Sequence, residues 1–99
     1  MKFTLIPDDR MVYVNGDARK LDDDIKLPHD IHAVQWYDTW GEIEYKPDHK
    51  GNLRPNEKFT DFSRFQHHVV HHANAVKRDF AEARRKLEEQ EKAALNNNG

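Results

Sequence analysis

The stretch Ile31–Tyr45, IHAVQWYDTWGEIEY, decides the fold because its two faces are already sorted. Closed at its centre, through Asp38 and Thr39 or through a four-residue loop Tyr37–Trp40, it pairs Trp36 with Gly41, Val34 with Ile43 and His32 with Tyr45. Side chains alternate faces along a strand. This register therefore gives one apolar face, with Ala33, Gln35, Glu42 and Glu44 on the other and Tyr37 beside Trp40. An indole opposite a glycine covers backbone that has no side chain of its own. The stretch predicts a β-hairpin.

Upstream, Lys2–Ile6 and Arg10–Val14 are rich in β-branched and aromatic residues and are separated by the turn sequence Pro7-Asp8-Asp9. Asn15-Gly16 follows, the favoured pair for a type I′ turn, and folds Ala18–Leu21 back on Val12–Val14. Asp22-Asp23-Asp24 then breaks regular pairing. Downstream, Lys46–Lys58 reads as a loop with room for a short edge strand near Leu53.

Ser63 with Gln66 forms a capping-box pattern at the start of a helix. Phe62, Phe65, Val69, Ala73, Val76, Phe80, Ala83 and Leu87 then recur every three or four residues. The mean step is a little long for a strict heptad, which favours docking on a sheet over a coiled coil. Beyond Lys77 the helix surface is nearly all charge, with Glu82/Lys86, Arg84/Glu88, Arg85/Glu89 and Glu88/Lys92 at the supporting i,i+4 spacing. The sequence thus predicts an α+β fold. Residues 1–58 form a small antiparallel sheet of four to five short strands in a meander, residues 59–95 a long C-terminal helix, and residues 96–99 a polar tail. Such a helix is roughly 48 Å long at 1.5 Å per residue, whereas strands of this length span only about 17–24 Å. Half of it must overhang, carrying Phe80 and Leu87, which are too few for a second core. Either they meet a partner or they sit scattered in water; the first reading is taken here.

Composition narrows the function. Of 99 residues, 36% are hydrophobic and 34% charged, so the core is small and association is a common remedy. Net charge is −2, which gives no pull toward nucleic acid or an anionic membrane. Six bases against five acids between Lys77 and Lys92 leave no basic stripe. Cysteine is absent, excluding disulfides and thiol chemistry. Phe3–Ile6 is too short for the apolar region of a signal peptide, and no run could span a bilayer as a helix.

The residues that could carry chemistry are few. His67-His68-Val69-Val70-His71-His72 sets His67/His71 and His68/His72 at i,i+4, a spacing that can place two imidazoles on one metal ion. Two ligands from one helix make a weak site without a third, so the reading is polar cover at the core edge, with His68 and His72 beside the apolar stripe and titrating near their ordinary range. Ser63 is the one serine and is committed as a cap, and no glycine-rich phosphate loop exists. No catalytic residue and no cofactor is expected. Tyr37 and Trp40 at the hairpin tip form either a contact site, as aromatics do at interfaces, or a cap over the N-terminal strands.

The runs His32-Ala33-Val34-Gln35-Trp36, Trp40–Tyr45 and Pro55–Ser63 resemble a pattern in small proteins of tailed bacteriophages encoded among tail and tail-fibre genes. The resemblance covers residues 31–63. It implies a virion or assembly role: a non-enzymatic protein that contacts a phage tail or tail-fibre protein, or a second copy of itself through the C-terminal helix. It would work in the host cytoplasm during assembly or in the tail. The alternatives are a phage-encoded inhibitor or regulator of a host protein, and a His-dependent metal binder. On the first reading Tyr37, Trp40, Phe80 and Leu87 are the contact residues.

Overall fold

In the computed structural model, which describes residues 1–97, the predicted hairpin is β4 (Ile31–Tyr37) and β5 (Gly41–Tyr45). Trp36 faces Gly41, Gln35 faces Glu42, Val34 faces Ile43 and Ala33 faces Glu44, as the sequence register requires. Tyr37 N–H donates to the Trp40 carbonyl at 2.7 Å to close the turn. One end departs from expectation. A bulge between Ile31 and Ala33 sets Ile31, not His32, opposite Tyr45. Ile31 is thereby buried with Val34 and Trp36 while His32 is exposed. The extra residue takes an imidazole off the packed face and replaces it with an aliphatic side chain.

The other strands are β1 (Lys2–Ile6), β2 (Met11–Val14), β3 (Asp17–Lys20) and β6 (Glu57–Phe59). All six form one antiparallel sheet in the order β3-β2-β1-β4-β5-β6. The fold is α+β as predicted, with one strand more. It is two three-strand meanders joined along β1 and β4, not a single meander, because residues 21–30 carry the chain back from the β3 edge to the centre. Asn15 and Gly16 both take positive φ (49° and 84°) at the β2–β3 turn, as a type I′ turn needs. The edge strand expected near Leu53 is instead at Glu57–Phe59, and Leu53 is exposed.

Phe59 explains that shift. It pairs with Gly41, and a Cβ on Gly41 would come within 2.6 Å of the Phe59 ring. The space above the glycine is thus filled by β6 as well as faced by Trp36. Trp36 stacks on Phe59 at 5.4 Å between centroids and on Phe62 at 5.0 Å. Phe62 also meets Phe3 edge-on at 5.1 Å, and Phe65 is buried beside them. Phe62–Phe65 form a 3₁₀ turn capped by Asp61, whose Oδ1 accepts from Ser63 N–H at 2.9 Å. The cap is therefore Asp61, not Ser63. From there α1 (Gln66–Asn97) runs unbroken. The expected tail residues Asn96 and Asn97 continue the helix; Asn98 and Gly99 lie outside the described residues.

Phe3, Leu5, Val12, Val34, Trp36 and Ile43 share the helix-facing side of the sheet and form most of the core, closed by Ile25, Ile31 and Phe65. Trp36→Ala should destabilise by about 3–5 kcal/mol, and Gly41→Ala by about 1–3 kcal/mol through the clash with the Gln35 carbonyl oxygen and the Phe59 ring. Glu44→Ala, on the opposite face, should stay within about 0.5 kcal/mol. A urea melt of the three variants checks the ranking.

Candidate functional site

The helix reaches the sheet at two places. Its start is held by the aromatic cluster around Trp36. Farther along, the helix-facing positions of β3 are Asp17 and Arg19, opposite Val14 and Val12 of β2. Arg19 donates to Asp17 at 2.8 Å and to Asp79 on the helix at 3.0 Å. Arg78 pairs with Asp79 at 2.8 Å and with Asp22 at 3.1 Å, and donates to the Lys20 carbonyl at 2.9 Å. His72 Nε2 lies 2.8 Å from an Asp17 carboxylate oxygen. The arginine hydrogen bonds hold Asp17 and Asp79 below the usual carboxylate range. This ionic clamp was not foreseen, yet its signal was present. Extending the type I′ register through Asn15-Gly16 puts Asp17 and Arg19 on the packed face.

The buried face of the helix is Phe65, His68, His72 and Ala75, with Asp79 half-buried at its end. It is rotated by about one residue from the predicted stripe. Ala73 is exposed, and two histidines occupy packed positions. His68 is 3% exposed, and neither ring nitrogen has a hydrogen-bond partner. Burial, reinforced by neighbouring His67 and His71, pushes its pKa down to about 4, which corrects the expectation of ordinary titration. His67 lies 3.8 Å from His68 between centroids, and His71 lies 5.5 Å from both. The three rings border an open groove of about 860 Å³ whose other wall is the acidic loop Asp22–Asp24. Among the described residues no group of three or more His, Cys, Asp or Glu is placed to hold a metal ion.

Past Asp79 the helix leaves the sheet. Every residue from Phe80 to Asn96 is exposed, with Phe80 at 70%, Leu87 at 56% and Leu95 at 73%. That overhang is roughly 26 Å long at 1.5 Å per residue and makes the molecule 66 Å in its longest dimension. Along it Lys86 pairs with Glu82 and Arg84 with Glu88, both at 3.4 Å, and Arg85 with Glu89 at 4.0 Å. Among the described residues no helix is long and apolar enough to cross a membrane.

Tyr37 and Trp40 meet in a tilted pair, their centroids 4.7 Å apart and their planes at 41°, each about two-fifths exposed. By strand parity they are on the face turned away from the helix. Lys58 Nζ lies 5.6 Å from the Trp40 ring, and Trp40, Lys58, Phe59 and Thr60 border a shallow recess. The structure thus brings Phe80 and Leu87 onto one free helix and Tyr37 and Trp40 onto one hairpin tip, but it does not join the two pairs. The overhang leaves past β3, and β1 and β2 separate that edge from the hairpin. Compared with protein-family models, curated proteins and solved structures, the chain matches none.

His68 makes stability depend on pH. Its native pKa lies below the value near 6.5 that it has when unfolded, so stability is complete above about pH 6.5 and falls as pH drops toward 4. The depressed aspartates act in the same direction but only below the ordinary carboxylate range. His68→Leu should flatten the melting temperature between pH 6.5 and 4. It should also raise stability at neutral pH by about 1–3 kcal/mol, the cost of an unsatisfied buried polar group. Thermal melts of both chains across that pH range check the sign. Equimolar zinc should leave the wild-type melting temperature unchanged; a rise abolished by His67→Ala or His71→Ala would establish a metal site.

Proposed function

We propose that this chain is a small, non-enzymatic contact protein: the sheet is a folded anchor and the overhanging helix is the arm that meets another protein. The observation that carries this reading is the exposed run from Phe80 to Asn96, with Phe80, Ala83 and Leu87 on one side of a stretch of helix in which every described residue is exposed. Residues seven apart return to nearly the same face, so Phe80 and Leu87 form a continuous patch. A charged surface with a narrow apolar stripe is the pattern of a helix that packs against another helix or a groove. Burying each of these two side chains stabilises a complex by about 1.5–3 kcal/mol.

The likeness of residues 31–63 to proteins encoded among phage tail genes supplies the context. On that reading the partner is a tail or tail-fibre protein, met by one arm or by two arms joined as a homo-oligomer, and the chain acts as a minor tail component or an assembly factor. The Tyr37–Trp40 tip is a second, smaller contact on the opposite face.

The double variant Phe80→Ser/Leu87→Ser should melt like wild type, because neither side chain touches the core. In cells assembling the phage tail, tagged wild-type chain should retain a tail or tail-fibre protein and the double variant should release it. A collapsed fold in the variant, or equal retention by both chains, would overturn the assignment of the overhang as the contact surface. Capture of a host enzyme or regulator instead would replace the assembly role with an inhibitory one.

A further inference from the structure

We infer that the apolar stripe of the overhang is covered by a second copy of this chain, the two helices joining in parallel and in register as a short coiled coil from Phe80 onward; this rests on the overhang being a contact surface. Three observations identify the occupant.

The first is spacing. Beside the fully buried residues a second stripe reads Val69, Ala73, Val76, Phe80, Ala83, Leu87, Gln90 and Ala94, its docked members Val69 and Val76 half-buried and the rest exposed. Its steps alternate strictly between four and three, which is the seam of a two-stranded coiled coil. Phe80, Leu87 and Ala94 take a positions, and Ala83 and Gln90 take d positions.

The second is charge. In a parallel pair each g residue faces the e residue five positions later on the other helix. Lys86 then faces Glu91 of the second copy, an attractive pairing that the two-fold axis doubles, while Asp79, opposite Arg84, is already held by Arg19 and Arg78 of its own chain. Lys86 and Glu91 are both exposed on the overhang, so this pairing leaves the sheet and its clamp undisturbed. An antiparallel pair with full overlap sets both Leu87 side chains against Gln90. Slid one heptad toward the sheets, it sets Arg84 against Arg84. Only the parallel arrangement puts Phe80 on Phe80 and Leu87 on Leu87.

The third is room. The sheet-facing residues Phe65, His68, His72 and Ala75 lie roughly 75° around the helix from the seam at 100° per residue. A two-fold axis along the seam carries the second sheet to the opposite side, so the two sheets flank the coiled coil without meeting head-on. Ala73 and the half-buried Val76 extend the seam back between them.

Light scattering and sedimentation of the full chain over a concentration series should show reversible conversion of monomer to dimer. Lys86→Glu, which turns two attractive pairs into two repulsive ones, should weaken the dimer about tenfold, and Lys86→Glu/Glu91→Lys should restore it. Because the chain has no cysteine, Gln90→Cys introduces a single thiol. With a mild oxidant it should cross-link to itself, as a parallel in-register seam requires, whereas a mixture of Ala83→Cys and Ala94→Cys chains should give no preferential mixed cross-link. A monomer at every concentration, an unaltered dimer in Phe80→Ser/Leu87→Ser, a charge reversal without effect, or the mixed cross-link in place of the symmetric one would each overturn the inference. If the chain stays monomeric and Phe80→Ser/Leu87→Ser still releases a tail protein, the overhang remains a contact surface and only its occupant is wrong. If that variant changes neither mass nor capture, both readings fall.

Discussion

Everything that distinguishes this molecule depends on the stacking of Trp36 between Phe59 and Phe62. The two phenylalanines lie on either side of Thr60 and Asp61, so the chain turns from sheet to helix around a single indole. Phe59 can approach only because Gly41 offers no Cβ, and Phe62 can stack only because the Asp61 cap starts a 3₁₀ turn there. With the helix start held at β4 and β1 and Asp79 held by Arg19 of β3, its path across the sheet is fixed by two points. Strands lie about 4.8 Å apart, so the distance from β4 to β3 is only some 14 Å. A 32-residue helix has to leave the sheet behind.

The same two points set the helix's rotation, and that rotation decides which residues are free. Hydrophobic periodicity alone selects the stripe Val69, Ala73, Val76 and Phe80, which recur every three or four residues, over Val70 and Ala75, which do not continue it. The sheet selects a neighbouring stripe, because Phe65 must enter the core and Asp79 must reach Arg19. Between those anchors the inward positions are His68, His72 and Ala75. His72 is matched by Asp17. His68 is not matched by anything and stays in the neutral form that burial favours. The apolar stripe is consequently displaced to the flank of the docked segment and becomes fully exposed once the sheet ends. Without that small rotation Phe80 would lie nearer the packed side.

Local chemistry that speaks in a few residues was legible in the sequence. The Asn15-Gly16 turn, the register from Ala33 to Trp36, and the overhang of Phe80 and Leu87 all follow from spacing and turn preferences. Features that depend on residues far apart were not. The bulge at Ile31 depends on which side chain the core admits, and His32 and Ile31 compete with equal claim in a two-residue alternation. Strand β6 is three residues long and exists because Phe59 fits Gly41, a match separated by a loop of Pro, Asp, Gly and Asn. Asp61 displaces Ser63 as cap because the first turn is 3₁₀ and begins at Phe62, two residues earlier than the capping-box pattern implies. The pairing of β1 with β4 has no local signature at all.

Why the arm stays helical without a surface beneath it is answered by its composition. From Ala81 to Ala94 the residues are Ala, Glu, Arg, Lys, Leu and Gln only, the strongest helix formers. They are cross-braced by ion pairs such as Lys86 with Glu82 and Arg84 with Glu88, each contributing a few tenths of a kcal/mol. Nucleation, the costly step for an isolated helix, has already occurred on the sheet, so the arm needs only propagation. A helix grown this way presents Phe80 and Leu87 at fixed separation and fixed phase before any partner arrives. Ordering an unfolded segment on binding would cost about 1–2 kcal/mol per residue. An arm already ordered avoids most of that cost, and two large apolar side chains with flanking charge then suffice for a weak, reversible contact.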